Sequence, residues 1–175
     1  MRPAGKETRQ PRDAAGEYRE KMAYEVSRLS GHMKEAGHPA PLGDPTSGVV
    51  LVLGQPVGLR ALEALKRSLV AVELPEAYIT YESTGLLAQE IQATEPLVLV
   101  AIGAGAAHDI DAIDYPLATQ PFSTAEPGAW FSWTKGTAGL LLPALAPALD
   151  DDTAKRRFWH AFLALKDVAP NPQQR

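Results

Sequence analysis

Apolar positions along the chain follow two periods, which predict helices separated by short buried strands. Residues 17–36 place an apolar side chain at every third or fourth position, as one face of a helix does. VVLVL (49–53) and LVLVAIG (97–103) are continuous apolar runs, typical of strands buried on both faces of a parallel sheet. EAYITY (76–81) alternates and is rich in side chains that favour strands. The chain therefore begins as helix, strand, helix, strand.

The remaining segments continue this alternation. Further helices are predicted from Leu59 to Leu69 and over residues 86–95, 103–110 and 153–166, with a possible short strand at WFSW (130–133). Buried strands that alternate with helices predict the α/β class, as a three-layer α/β/α sandwich with a mainly parallel sheet. Residues 1–14 are predicted to be a disordered tail, because they are polar and carry two prolines. Residues 15–170 then form a single domain.

Composition narrows the class of protein. A length of 175 residues suits one domain with one core. The absence of cysteine excludes a disulfide framework, a thiolate zinc site and an ordinarily ligated iron–sulfur cluster. No run reaches the roughly 18 apolar residues of a membrane span, and the N-terminus lacks the apolar core of a signal peptide. We therefore expect a cytoplasmic protein with no membrane partner, whose net charge of −4 gives nucleic acid no general attraction.

Three predicted strands end in short turns that contain glycine. These turns are GQPVG (54–58), YESTG (81–85) and GAG (103–105). Because the carboxyl ends of parallel strands meet at one edge of a sheet, where ligands bind, the three turns should converge there. Glycine lets the backbone approach a ligand closely, although such turns are equally common for tight packing alone. The turns do not fit the dinucleotide fingerprint G-x-G-x-x-G, and no nucleotide cofactor is predicted.

Two other segments carry candidate chemistry. Trp133, Lys135 and Gly136 follow Trp130 and Phe131, and aromatic rings interleaved with a cation can stack bases and contact phosphate. The alternative is that these are strand residues packed on the closing helix. The acidic run from His108 to Asp114 has the spacing of metal ligands, but such residues on one short helix are usually solvated. No metal site is predicted.

In the order of its segments the chain resembles the uracil-DNA glycosylase superfamily, especially its thermostable bacterial branch. The resemblance covers nearly the whole chain after residue 17. It rests on VLVLGQPVG (50–58), AYITYES (77–83), LLAQEIQATEPLVLVAIGAGAA (86–107), WTKGTAGLLLPAL (133–145) and AKRRFWHAFLAL (154–165). It implies a uracil-DNA glycosylase-like α/β/α domain whose ligand is a nucleobase or DNA.

The resemblance also assigns roles to individual residues. Gln55 stands where the family places an acidic or water-activating residue, and an amide orients water without taking its proton. Tyr81 replaces the asparagine that reads the uracil edge, and it could either stack on a base or fill the pocket. Glu82 could supply the missing carboxylate, or be a solvated residue at a strand end. The family's His-Pro-Ser loop and cluster cysteines are absent.

Two hypotheses follow from the resemblance. The first is a diverged, non-catalytic protein that binds a nucleobase, nucleotide, nucleic acid or protein partner at the carboxyl ends of the strands. The alternative is an active DNA-repair hydrolase that cleaves the N-glycosidic bond of a damaged or deaminated base. Gln55 and Glu82 are the catalytic candidates if the chain is an enzyme. The candidate contacts to base or DNA are Gly54, Pro56, Gly58, Tyr81, Gly103, Trp133, Lys135 and Gly136. A small-molecule hydrolase is a weaker third hypothesis, since the chain has no G-x-S-x-G motif.

Overall fold

The computed structural model describes residues 14–168. Residues 1–13 of the predicted tail and the last two residues of the predicted domain lie outside this range, whereas Ala14, the last residue of the predicted tail, begins a helix. The strands are β1 (Val49–Leu53), β2 (Tyr78–Tyr81), β3 (Val98–Ile102), β4 (Phe131–Thr134) and β5 (Thr137–Leu142). The helices are α1 (Ala14–Glu35), α2 (Leu59–Ala71), α3 (Leu87–Thr94), α4 (Ala104–Ala112), α5 (Leu145–Asp150) and α6 (Asp152–Phe162). Short 3₁₀ helices span Glu82–Thr84, Phe122–Thr124 and Leu163–Val168.

The described strands form one five-stranded sheet in the order β2-β1-β3-β5-β4. Neighbours among β2, β1, β3 and β5 are parallel, whereas β4 is antiparallel to β5. The predicted α/β class and mainly parallel sheet are therefore confirmed. At the carboxyl edge, Leu53 pairs with Tyr81, and Ile102 pairs with Leu142. The turns that follow β1, β2, β3 and β5 consequently all lie at this edge.

Helices cover both faces of the sheet. Alternate residues of a strand point to opposite faces, so Leu51 and Val52 belong to different core clusters. The first cluster includes side chains of α2, α5 and α6, and the second includes side chains of α1, α3 and α4. The side chains of β1 and β3 are buried on both faces of the sheet, which explains why these strands are continuous apolar runs. Among residues 14–168, no helix has both the length and the apolar character needed to cross a membrane.

The sequence prediction missed β5. Gly136 and Gly139 make this segment look like a turn, because glycine weakens a strand. In the sheet, the ring of Phe131 on β4 lies directly over Gly139 and fills the space that a side chain would occupy. The pairing with β3 along five residues, from Val98 to Ile102, then holds β5 in place. Contacts with the two neighbouring strands therefore determine that this segment forms a strand.

The end of the chain also differs from the prediction. The short helix α5 precedes the closing helix, and α6 ends at Phe162 before a 3₁₀ segment that reaches Val168. Asp151 caps α6, since its carboxylate accepts hydrogen bonds from the backbone N–H groups of Thr153 and Ala154 at 3.3 and 3.2 Å. Asp151 and Asp152 therefore lie at the N-terminus of α6, where the helix dipole favours acidic side chains.

Candidate functional site

The turns after β1 and β2 are joined at the carboxyl edge of the sheet. The backbone N–H of Ser83 donates a hydrogen bond to the carbonyl oxygen of Gly54 at 3.0 Å. This bond extends the pairing of the two strands past their last residues. It brings Gln55, which is exposed, beside Glu82 and Ser83, which are half-buried. Two of the three predicted turns therefore converge as expected.

Helix α4 brings a second carboxylate to the same place. A Cβ atom added to Gly54 would lie 3.6 Å from Oδ2 of Asp109, so this carboxylate lies against the turn after β1. Partial burial, and then the negative charge of Asp109, raise the pKa of the Glu82 carboxyl above its ordinary value. The two acids are thus close enough to interact. We call Gly54, Gln55, Glu82, Ser83 and Asp109 the carboxyl-end site.

Asp109 was missed as a member of this site. The sequence shows it only within the acidic run that starts at His108. A signal was present, because Asp109 lies in the helix that begins within the third predicted turn. Any side chain on the sheet-edge side of that helix is a candidate for the site.

The hydroxyl of Ser83 adds a polar group to the site. Within residues 14–168, this buried oxygen has no hydrogen-bond partner. A buried hydroxyl without a partner costs about 1–3 kcal/mol, and a movement of this turn that brings a partner to it would recover part of that cost.

Gly103, the first residue of the turn after β3, has a mainly structural role. Gly103 is buried and adopts a φ of 91°, which favours glycine. Its N–H donates to the carbonyl of Leu142 at 2.8 Å, and an added Cβ would lie 3.4 Å from the Cα of Ala144. Gly103 therefore fixes where α4 starts. Pro56 and Gly58 are exposed in the turn after β1, at the same edge as the site.

Tyr81 fills the core beneath the site. Only 3% of its surface is exposed, and its side chain belongs to the cluster on the α2 side of the sheet. Burial raises the pKa of its phenol. Of the two roles expected for this residue, filling the pocket matches its burial, and a stacking face for a base does not.

The turn of the β4–β5 hairpin lies at the opposite end of the sheet, where the parallel strands begin. Thr137, the first residue of β5, donates from Oγ1 to the carbonyl of Pro96 at 2.6 Å, just before β3 begins. Lys135 and Gly136 form the exposed hairpin turn and therefore lie at the amino ends of the parallel strands. This corrects the expectation that they share a site with Gln55. The reason is that β5 runs parallel to β3 and so starts from the far edge.

Trp133 is a core residue and not an exposed stacking ring. It is 2% exposed and stacks on Tyr115 with ring centroids 4.9 Å apart. A second contact, with Phe122, has a centroid distance of 5.9 Å. The expectation of an exposed aromatic segment is therefore corrected for this residue. The alternative was partly right, since Trp133 does pack inside, but against the connection between α4 and β4 and not against the closing helix.

The acidic run after His108 divides into separate roles. Asp109 belongs to the carboxyl-end site, whereas Asp111 caps the 3₁₀ helix Phe122–Thr124. Its carboxylate accepts from the backbone N–H of Phe122 at 2.7 Å and of Ser123 at 3.0 Å. In the described part of the chain, no group of three or more His, Asp or Glu side chains is arranged to hold a metal ion.

A buried polar network lies on the α3 side of β2. The Glu90 carboxylate is 1% exposed and accepts hydrogen bonds from Tyr78 Oη and Thr80 Oγ1, both at 2.6 Å. Burial raises the pKa of Glu90 to about 7, although both hydroxyl donors oppose the shift. Sequence reasoning missed this group. Its one signal was that Tyr78 and Thr80, two residues apart, place polar groups on the same face of a buried strand.

No protein-family model matches this chain, and no curated protein matches it. The geometry of the site consists of an exposed amide, two carboxylates beside the turn after β1 and a buried hydroxyl, all at the carboxyl edge of the sheet.

Proposed function

We propose that the chain binds a nucleobase, free or carried in nucleic acid, at the carboxyl-end site. The observation that carries this proposal is the convergence of three segments at Gly54. The Ser83 N–H reaches its carbonyl at 3.0 Å, and the Asp109 carboxylate lies against its Cα. The order of segments that resembles the uracil-DNA glycosylase superfamily supports a nucleobase as the ligand.

The chemistry of the site suits the edge of a base. The Gln55 amide both donates and accepts hydrogen bonds, as does the Ser83 hydroxyl. The carboxylates of Glu82 and Asp109 accept hydrogen bonds from the ring N–H or amino groups that bases present. The same carboxylates repel phosphate, because like charges at close range disfavour each other. The group seated at this site is therefore the neutral base.

Binding of a labelled single-stranded oligonucleotide that contains uracil, measured by fluorescence anisotropy, tests the proposal. Gln55→Ala should weaken binding about threefold to tenfold, which is the usual value of one hydrogen bond. The matched control is Gln92→Ala, which removes an exposed amide from α3, away from the site. Equal affinity in the two variants, or no binding by the wild type, would overturn the proposal.

Hydrolysis of the N-glycosidic bond is the second candidate function, and the interacting pair Glu82–Asp109 favours it. When the bond from C1′ to the base breaks, the base leaves with the electron pair and the sugar becomes cationic. A nearby carboxylate stabilises that cation, and a carboxylate can take the proton of the water that adds to C1′. Gln55 would orient that water.

An excision assay separates the two functions. Oligonucleotides with uracil, hypoxanthine or xanthine, single- and double-stranded, are incubated with the protein and then treated with alkali. Strand cleavage that Glu82→Gln lowers by a factor of about 100 or more supports hydrolysis. The absence of cleavage by the folded wild-type protein limits the site to binding.

A further inference from the structure

A cleft lies between α2, α5 and α6, with a volume of about 340 Å³. Its floor is apolar and includes the buried side chains of Leu145, Ala148 and Phe158. At its rim, the indole of Trp159 is 37% exposed. One side of this ring system is supported by Phe162, with centroids 5.9 Å apart and an angle of 15° between the planes. The α2–α6 cleft therefore combines an apolar floor with a supported aromatic ring.

Basic side chains surround this cleft. Arg60, Arg67 and Lys155 line it, against one acid, Glu63. Arg60 is engaged elsewhere, because it forms a salt bridge with Asp150 at 3.1 Å and donates to the carbonyl of Leu149. Within residues 14–168, Arg67 and Lys155 form no salt bridge. Two cations are therefore available beside the ring in a chain whose net charge is −4.

We propose that the α2–α6 cleft binds an aromatic organic phosphate of the size of a nucleoside monophosphate. The flat ring of such a ligand stacks against Trp159 and covers the apolar floor. Its phosphate lies between Arg67 and Lys155, and guanidinium and ammonium groups are the usual partners of phosphate in proteins. The volume falls at the lower end of the range for ligand pockets, about 300–1,000 Å³.

The two parts of the ligand are both needed. An uncharged aromatic molecule would leave the cations unpaired, whereas inorganic phosphate would leave the apolar floor in contact with water. The cleft is also separate from the carboxyl-end site. Its helices pack on the face of the sheet opposite to α4, which carries Asp109. Binding at the cleft therefore does not depend on the function proposed above.

Isothermal titration calorimetry with adenosine monophosphate at low ionic strength tests this inference. Arg67→Gln and Lys155→Gln should each weaken binding about threefold to tenfold. Trp159→Leu should weaken it about tenfold, through loss of stacking. Adenosine and inorganic phosphate, titrated separately, should each bind more weakly than the nucleotide.

Two neighbouring cations give matched controls. Lys66→Gln on α2 and Arg156→Gln on α6 remove the same charge from exposed positions outside the cleft, and they should leave the affinity unchanged. Thermal unfolding of each variant shows that the fold is intact. The inference is overturned if the wild type gives no saturable heat at millimolar nucleotide. It is equally overturned if the control variants weaken binding as much as Arg67→Gln does, since the attraction would then be non-specific.

Discussion

Glu90 shows at the level of one residue how burial couples the fold to pH. Its carboxyl is 1% exposed between Tyr78 and Thr80, and its pKa is raised from 4.5 to about 7. Because the native state holds the proton more tightly than the unfolded state does, protonation stabilises the fold. This contribution is complete below about pH 4.5 and is lost as the pH rises through about 7.

Glu90→Gln should remove this dependence. The amide keeps an oxygen that accepts from the hydroxyls but carries no charge at any pH. Over the window from pH 4.5 to about 7, the wild-type free energy of unfolding should fall by about 3 kcal/mol relative to the variant. Urea denaturation from about pH 4 to about pH 8 measures the two slopes. Glu76→Gln, at an exposed position, is the control and should keep the wild-type slope. Parallel profiles for wild type and Glu90→Gln would contradict this account.

At the residue scale, the sequence predicts a position at the sheet edge better than it predicts contacts. Gln55 and Glu82 lie at the predicted edge because each belongs to the turn that follows a strand, and strand direction follows from chain order in a parallel sheet. Lys135 was misplaced because β4 is antiparallel, which local sequence does not reveal. Asp109 joins the site only through the packing of α4. The buried carboxylate of Glu90 receives its hydrogen bonds from hydroxyl groups on β2, a different element of the chain.

At the element scale, two glycines show that a helix can accept a side chain where a turn cannot. Gly31 lies inside α1, and a Cβ added there would meet no atom within 4 Å. Gly43 has a φ of 87°, and an added Cβ would collide with the carbonyl oxygen of Ala77. The two positions therefore predict opposite effects of the same substitution.

Gly31→Ala should raise the free energy of unfolding by about 0.5–1 kcal/mol, because alanine loses less backbone freedom in a helix. Gly43→Ala should lower it by more than about 1 kcal/mol, through the collision and the left-handed backbone. Chemical denaturation of both variants at one pH measures the difference. A loss of stability in Gly31→Ala would show that α1 makes a contact at this position that the structure does not contain.

Most elements could be predicted because each carries its own pattern. Residues 49–53 form β1 as predicted, and β3 is one residue shorter at each end than the predicted run. Those strands are buried on both faces, so their sequences are apolar throughout. In contrast, β5 depends on Phe131 across the hairpin to cover Gly139. Because the side chain that covers Gly139 comes from β4, the sequence of β5 alone does not predict a strand.

At the scale of the whole molecule, the parallel order of β2, β1, β3 and β5 gathers the turns after these strands at one edge. The carboxyl-end site forms there, and the α2–α6 cleft lies on one covered face. Alternation of strand and helix predicts this arrangement in outline. The distribution of charge over the surface cannot be predicted from the net charge. A net charge of −4 includes an acidic pair at the edge and a basic cleft on the face.

Binding of a base at the carboxyl edge of the sheet is the claim on which both proposed functions depend. Amide chemical-shift mapping of the ¹⁵N-labelled protein, titrated with a short uracil-containing single strand, tests this claim directly. The largest shifts should fall in the turns over residues 54–58 and 82–85 and around Asp109. Shifts centred on the β4–β5 hairpin at residues 134–137, or no shifts at saturating ligand, would contradict it.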